Sequence, residues 1–217
     1  MHITMPFHRL LNIRKLGLHI IRQMTSFTNE IGADKRLVWV DLEMTGLDVD
    51  RDYILEMSCI ITDPELNVIT EGLTVAIKQP DRILENMNEW CQKHHTESGL
   101  VARCKASNIY TPQAENMMLE LIESCTPKGK CVLAGNSVHE DRRFLAKHMP
   151  RIINHLHYRI VDVSTIKELC RRWYPTEFLG QPKKMLKHRA LDDILESIQE
   201  LKYYKSTIFK PRGSTID

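Results

Sequence analysis

Four carboxylates and one histidine have the types and spacing to do chemistry. Asp41 and Glu43 stand in Val38-Trp39-Val40-Asp41-Leu42-Glu43, and Asp141 ends Gly135-Asn136-Ser137-Val138-His139-Glu140-Asp141. His188 and Asp193 bracket His188-Arg189-Ala190-Leu191-Asp192-Asp193. Each acid follows or sits within an apolar element, where a carboxylate is costly unless a cation is near. Oxygen ligands of this kind suit hard divalent ions such as Mg²⁺ or Mn²⁺. That combination points to metal-assisted cleavage of a phosphodiester.

Each piece taken alone has a plainer reading. Asp41 and Glu43, two apart on a strand, project from one face roughly 6–7 Å apart; two strand-end acids facing water would look the same. Asp141 at a helix start is favoured by the helix dipole whatever its function. His188 and Asp193 are five apart and share a side only if the helix begins after His188. A lone histidine beside Arg189 is otherwise a surface residue.

The elements that must position these groups are legible in outline. Residues 36–43 read as a strand whose apolar Leu37 to Val40 suit a central position covered on both faces. A second strand is predicted over 54–63 and a third over 67–78, with Asp63-Pro64-Glu65-Leu66-Asn67 as the turn. Thr111 is expected to cap a helix with Pro112 at its first position. Met117, Met118, Leu121 and Ile122 recur on one side of it. Short strands are expected over 131–134 and 159–163. Ser164 is expected to cap a helix to Trp173, and a last helix runs from His188 to about Lys205. The pattern predicts an α/β domain: a mixed sheet of a three-stranded antiparallel meander plus parallel strands, flanked by helices.

Composition narrows the setting. The chain has 217 residues, 42% of them apolar and 27% charged, as in an ordinary globular protein. Its six cysteines have no CxxC spacing, which favours free thiols. No stretch approaches the ~18 apolar residues of a membrane span, so no membrane partner is expected. Residues 1–29 carry Arg9, Arg14, Lys15 and Arg22 and no acid, on an amphipathic pattern typical of a mitochondrial leader. Met24 is an internal start that would give a second form in cytoplasm or nucleus. Removing those four charges from the net +2 leaves −2 for the rest, a poor trap for long nucleic acid. The expected organisation is a leader at 1–29, a linker at 30–35, one domain at 36–210 and a tail at 211–217.

Taken together, acids in the order Asp-x-Glu, Asp, Asp, with a histidine five residues before the last, resemble the DEDDh branch of the DnaQ-like 3′–5′ exonucleases, which have an RNase H-like fold. Within it, the runs 39–47, Glu89-Trp90 with His95, Gly135-Asn136-Ser137, Tyr158-Arg159 with Asp162-Val163-Ser164-Thr165, and 188–193 resemble the oligoribonuclease family. The resemblance covers about residues 35–205.

It implies that Asp41, Glu43, Asp141 and Asp193 hold two divalent cations, Mg²⁺ or Mn²⁺, with His188 as general base. Asp193 is chosen over Asp192 because the family places the ligand at the second aspartate. Leu47 and Trp90 would bear on the bases, where stacking contributes ~1–3 kcal/mol per base. Ser137, Arg159 and Ser164 would surround a 5′ phosphate, and His95 would line the site. Tyr158 would be contributed by the other subunit of a homodimer. The implied substrates are short oligoribonucleotides, from dinucleotides to about five nucleotides, released as nucleoside 5′-monophosphates. Two other readings stand beside it: an exonuclease trimming longer RNA or DNA ends, and a nucleic-acid-binding module without catalysis. The sequence departs from the family at Glu140, an extra acid beside Asp141 expected either to weaken the approach of phosphate or to raise a neighbouring pKa. The loop 176–187, with Lys183, Lys184 and Lys187, is also idiosyncratic.

Overall fold

The computed structural model describes residues 31–182 and 190–211. The leader, His188, the three loop lysines and most of the expected tail lie outside the described residues. One five-stranded sheet organises the rest, in the order β3-β2-β1-β4-β5. Its strands are β1 (Leu37–Met44), β2 (Ile54–Thr62), β3 (Leu73–Ala76), β4 (Val132–Gly135) and β5 (His157–Asp162). The β1–β2 and β2–β3 pairs are antiparallel, and β1–β4 and β4–β5 parallel. This is the mixed sheet that the pattern predicts, with β1 at its centre.

Nine helices among the described residues surround it. They are α1 (Asp81–Glu85), α2 (Glu89–Glu97), α3 (Leu100–Ala106), α4 (Thr111–Cys125), α5 (His139–His148), α6 (Pro150–His155), α7 (Val163–Trp173), α8 (Pro175–Leu179) and α9 (Ala190–Thr207). None is long and apolar enough to cross a membrane.

Strand periodicity decides what each face of the sheet buries. On β1 the even positions Val38, Val40 and Leu42 enter a core with Met118 and Ile122 of α4 and Phe144 of α5. Trp39 points the other way and packs with Val163 of α7 and Ile194 and Ile198 of α9. Its indole Nε1 donates to Thr62 Oγ1 at 3.0 Å, so the buried donor is satisfied. Asp41 and Glu43 continue the odd face beyond Trp39. They therefore emerge under α9, where the apolar cover ends. A smaller cluster of Leu55, Leu84, Met87, Cys91, Leu100 and Cys104 fastens α1, α2 and α3 to the sheet. All six cysteines are buried free thiols.

Several element ends differ from expectation for local reasons. β3 is four residues long, because Gly72 at φ +84° breaks the run and only an isolated bridge, Thr62 to Val68, continues it. Thr111 is the first residue of α4 and does not cap it; the Tyr110 amide outside the helix donates to Gln113 Oε1 at 3.1 Å. Ser164 lies inside α7, whose cap is Asp162, accepting from the Ser164 amide at 3.0 Å. Ala33 to Lys35, within the segment expected as a linker, forms a 3₁₀ turn whose Ala33 is buried.

Candidate active site

Three of the four predicted acids converge. Ligand oxygens of Asp41, Glu43 and Asp193 lie within 4.8 Å of one another, and all three residues are half-buried. β1 supplies the first two at its C-terminal end, where the β1–β2 register slips between Glu43 and Met44. Asp193 comes from the first turn of α9, in the run Ala190-Leu191-Asp192-Asp193. Asp192 instead lines a separate groove with Glu56, Thr74 and Arg103. Hard oxygen donors at this separation fit a divalent cation.

Asp141 comes to the same place by a different route. β4 pairs with β1 only as far as Trp39 and Ala134, so β1 runs on alone on that side. The Asp141 carboxylate, buried, fills the gap and accepts the Leu42 amide at 2.9 Å through Oδ1. It is not among the three mutually close ligands. Gly135 permits this closeness of chain, for a Cβ there would sit 2.9 Å from the Val40 carbonyl oxygen and from Val138 Cγ2.

The electrostatics are those of a cluster built for a cation. Burial pushes the Glu43 carboxyl up to about 8, with further increments from Asp193, Glu56 and Asp141. Asp141 is pushed up to about 7, again mainly by burial, opposed by the Leu42 hydrogen bond. Glu140 adds to that rise only as a minor cause, and it pairs with Arg143 Nη1 at 2.6 Å. A stability prediction follows. Between pH 6.5 and 8 the folded site holds protons that the unfolded carboxyls have already lost. Stability without metal is therefore present at low pH and lost as pH rises through about 7 and 8. Burial lowers the His148 and His155 pKa values from 6.5, so these two oppose the trend at its lower edge and fade above it. The thermal midpoint in chelator is expected to fall across it, and added Mn²⁺ should flatten the fall; a midpoint that climbs with pH would contradict this.

Beside the acids lies a cavity of about 470 Å³ lined by Leu42, Glu43, Met44, Gly46, Leu47, Asn88, Trp90, Cys91 and His95. Three sequence-predicted residues thus share it. Leu47 is 65% and Trp90 58% exposed, an unusual cost for large apolar side chains on one cavity. His95 is buried, with Nε2 2.9 Å from the Met44 carbonyl oxygen, which makes Nε2 the donor. Its Nδ1 lies 3.9 Å from Glu43. The ring therefore props the end of β1 as well as lining the cavity.

Two of the predicted phosphate-side residues, Ser137 and Ser164, are joined through Asp162. Ser137, at φ +56°, donates its amide to Asp162 Oδ1 at 2.9 Å. Ser164 gives the same oxygen its hydroxyl at 2.7 Å, and His139 stands 3.4 Å from Oδ2. The Arg159 guanidinium lies 5.5 Å over the Tyr158 ring. Both sit where the β4–β5 register jumps from Val132–His157 to Leu133–Ile160, so they bulge from an edge strand. Tyr158 is exposed there.

Sequence reasoning missed three organising residues. Asp162 has an N-cap signal, Asp-x-Ser before an apolar helix, but the pattern alone points to Ser164 as the cap. Glu56 faces Glu43 across the β1–β2 ladder and pairs with Arg103 Nη2 at 2.7 Å. An acid inside the apolar run Ile54-Leu55-Glu56-Met57 was the available signal. Asp52, the last of three acids in 48–52, accepts from Thr45 Oγ1 and from the Asp48 amide.

Comparison with known proteins is consistent with this geometry. The family model described as Exonuclease (RNase_T) matches residues 38–201. The human mitochondrial oligoribonuclease is 57% identical over 178 residues, covering 82% of this chain and 75% of that protein. The probable oligoribonuclease of Drosophila melanogaster is 50% identical over 210 residues, covering 93% of this chain and 100% of that one. An oligoribonuclease of Vibrio cholerae is 51% identical over 178 residues, covering 82% and 98%. Among solved structures, exonuclease I from Methylocaldum szegediense superposes with a TM-score of 0.61 at 19% identity, over 80% of this chain and 41% of that one. A zinc-bound E. coli exonuclease I–ssDNA complex gives 0.62 at 18% identity, over 79% and 40%. The chain spans less than half the length of those exonucleases, and at such identity they share its fold.

Proposed function

This chain belongs to the oligoribonuclease family of exonucleases, and from that premise we propose that it is a 3′–5′ exoribonuclease acting on very short RNAs, dinucleotides above all. The observation that carries the reading is the convergence of Asp41, Glu43 and Asp193 beside a cavity edged by Leu47 and Trp90. Asp41, Glu43 and Asp193, with Asp141 behind them, would hold two divalent cations, Mg²⁺ or Mn²⁺. Bound there, such ions supply an activated water and neutralise charge on the phosphoryl group.

The chain's own residues do the rest. Leu47 wedges against one base and Trp90 packs against the other. His188 takes the proton of the attacking water, a task suited to an imidazole near neutrality. Ser137, Arg159 and Ser164 receive the 5′ phosphate, the Ser164 hydroxyl rotating off Asp162 to donate. A site closed at that phosphate rejects longer chains, which agrees with the −2 charge of residues 30–217. The products are nucleoside 5′-monophosphates. The active form is a homodimer in which the partner subunit's Tyr158 completes each site, supported by its exposure on edge strand β5. Residues 1–29 direct the chain to mitochondria, in keeping with the names of its mammalian relatives.

Digestion of 5′-labelled RNAs of graded length tests the proposal. Dinucleotides should be cut fastest, with rates falling at least about tenfold as the chain lengthens beyond the site, and chelator should stop every reaction. Equal rates on dinucleotides and twenty-nucleotide RNA would favour a general trimming exonuclease.

A further inference from the structure

We propose that Asp52 is a positioning residue for the cavity rim, setting how tightly a base is held through Leu47. The proposal rests on the reading above that Leu47 bears on a base. The rim is the segment 45–53 that joins β1 to β2, and beyond its neck no strand ladder holds it.

Asp52 supplies the missing bonds. Its Oδ1 accepts from Thr45 Oγ1 at 2.7 Å, and its Oδ2 from the Asp48 amide at 2.9 Å. Its own amide donates back to the Asp48 carbonyl at 2.7 Å. Thr45 closes the neck: its amide donates to the Tyr53 carbonyl at 3.0 Å, and the Tyr53 amide donates to Thr45 Oγ1 at 3.0 Å. These bonds bracket Gly46 and Leu47. With 65% of Leu47 exposed, hydrogen bonding rather than packing orders it.

Gly46 carries the imprint of the same carboxylate. A Cβ there would meet Asp52 Cγ and Oδ1 at 2.8 Å, with Oδ2 nearer still. Gly46 is not among the residues of positive φ, so its backbone admits alanine and the exclusion comes from Asp52. From outside, α5 pins the rim: Lys147 Nζ pairs with Asp50 Oδ1 at 2.6 Å, and the His148 ring lies against that of Tyr53 with centroids 6.3 Å apart. The first turn of α5 holds Asp141. Rim and acid are thereby referred to one rigid helix.

A loosened rim must be ordered by each substrate that binds, which weakens binding without moving the acids on β1 and α9. The consequence is a change in KM more than in kcat. The test is hydrolysis of pApA with Mn²⁺ by wild type, Asp52→Ala, Asp52→Asn, Gly46→Ala and the double variant Gly46→Ala with Asp52→Ala. Amide exchange of peptide 45–53 is measured on each without substrate. Asp52→Ala should raise KM about tenfold with kcat within about threefold, and should speed exchange of the peptide. Asp52→Asn, which keeps the volume and one acceptor, should fall between. Gly46→Ala should raise KM alone but add little once Asp52 is alanine, because the clash partner is gone. An unchanged KM or unchanged exchange in both Asp52 variants, a loss confined to kcat, or effects of Gly46→Ala and Asp52→Ala that multiply would overturn the proposal. Wild type that leaves pApA intact overturns the proposed function instead, and the exchange data then still decide the role of Asp52.

Discussion

Asp41→Ala is expected to lower kcat/KM on dinucleotides by at least about a thousandfold while leaving the chain folded. The size follows from what the side chain supplies. Asp41 is one of three carboxylates whose oxygens crowd within 4.8 Å, and the other two cannot reproduce its share of the charge. The fold does not depend on it, because the stabilising part of β1 is the apolar run Val38 to Val40 and Leu42. Without metal the acids disfavour one another's charge, so the variant in chelator should melt at or above the wild-type temperature. With metal the order reverses. Mn²⁺ should raise the wild-type midpoint by binding the native state, and raise that of Asp41→Ala much less. A retained rate, or a variant that loses its dimer and melts early in chelator, would remove Asp41 from the metal site.

What the sequence reveals about this site divides along a physical line. The strand-borne pair is legible because a period of two forces Asp41 and Glu43 onto the face of Trp39. The central place of β1 is legible because only a strand covered on both faces reads as an unbroken apolar run. Asp141 is legible as an acid at a helix start, but its bond to the Leu42 amide is not. That bond exists because β4 stops at Gly135 and leaves one side of β1 unpaired, which is a property of the sheet.

The phosphate-side grouping shows the same limit. Ser137 and Ser164 are recognisable as candidates, yet what joins them is Asp162, twenty-five residues from Ser137 in the chain. Glu56 and Arg103 escape notice because their pairing spans forty-seven residues and one helix packing. Asp52 is hidden for the opposite reason. It is local, but in a run of Asp48, Asp50 and Asp52 nothing in composition marks which acid turns inward. Its signature is negative: the space it takes from Gly46. Small residues beside an acidic loop are therefore as informative about a site as the acids themselves.

Tyr158→Ala is expected to lower dinucleotide cleavage by roughly a hundredfold, with the folded chain and its acids intact. The reason is positional. Tyr158 sits in the two-residue jump of the β4–β5 register on an edge strand, exposed, with Arg159 over its ring. An edge strand with an exposed aromatic can pair with another chain, and in the proposed two-fold dimer each subunit's Tyr158 would face its partner. Loss of rate alone would not separate action across the interface from action within one chain; mixing does. Asp41→Ala and Tyr158→Ala proteins should each be nearly inactive alone. In a mixed dimer, the site built on the Tyr158→Ala chain keeps its own acids and receives Tyr158 from the Asp41→Ala partner. The other site lacks both. Random exchange makes half the dimers mixed, each with one working site of two, so activity should recover to about a quarter of wild type. If Tyr158 served its own chain, no combination of these two variants would contain a complete site, and mixing would restore nothing.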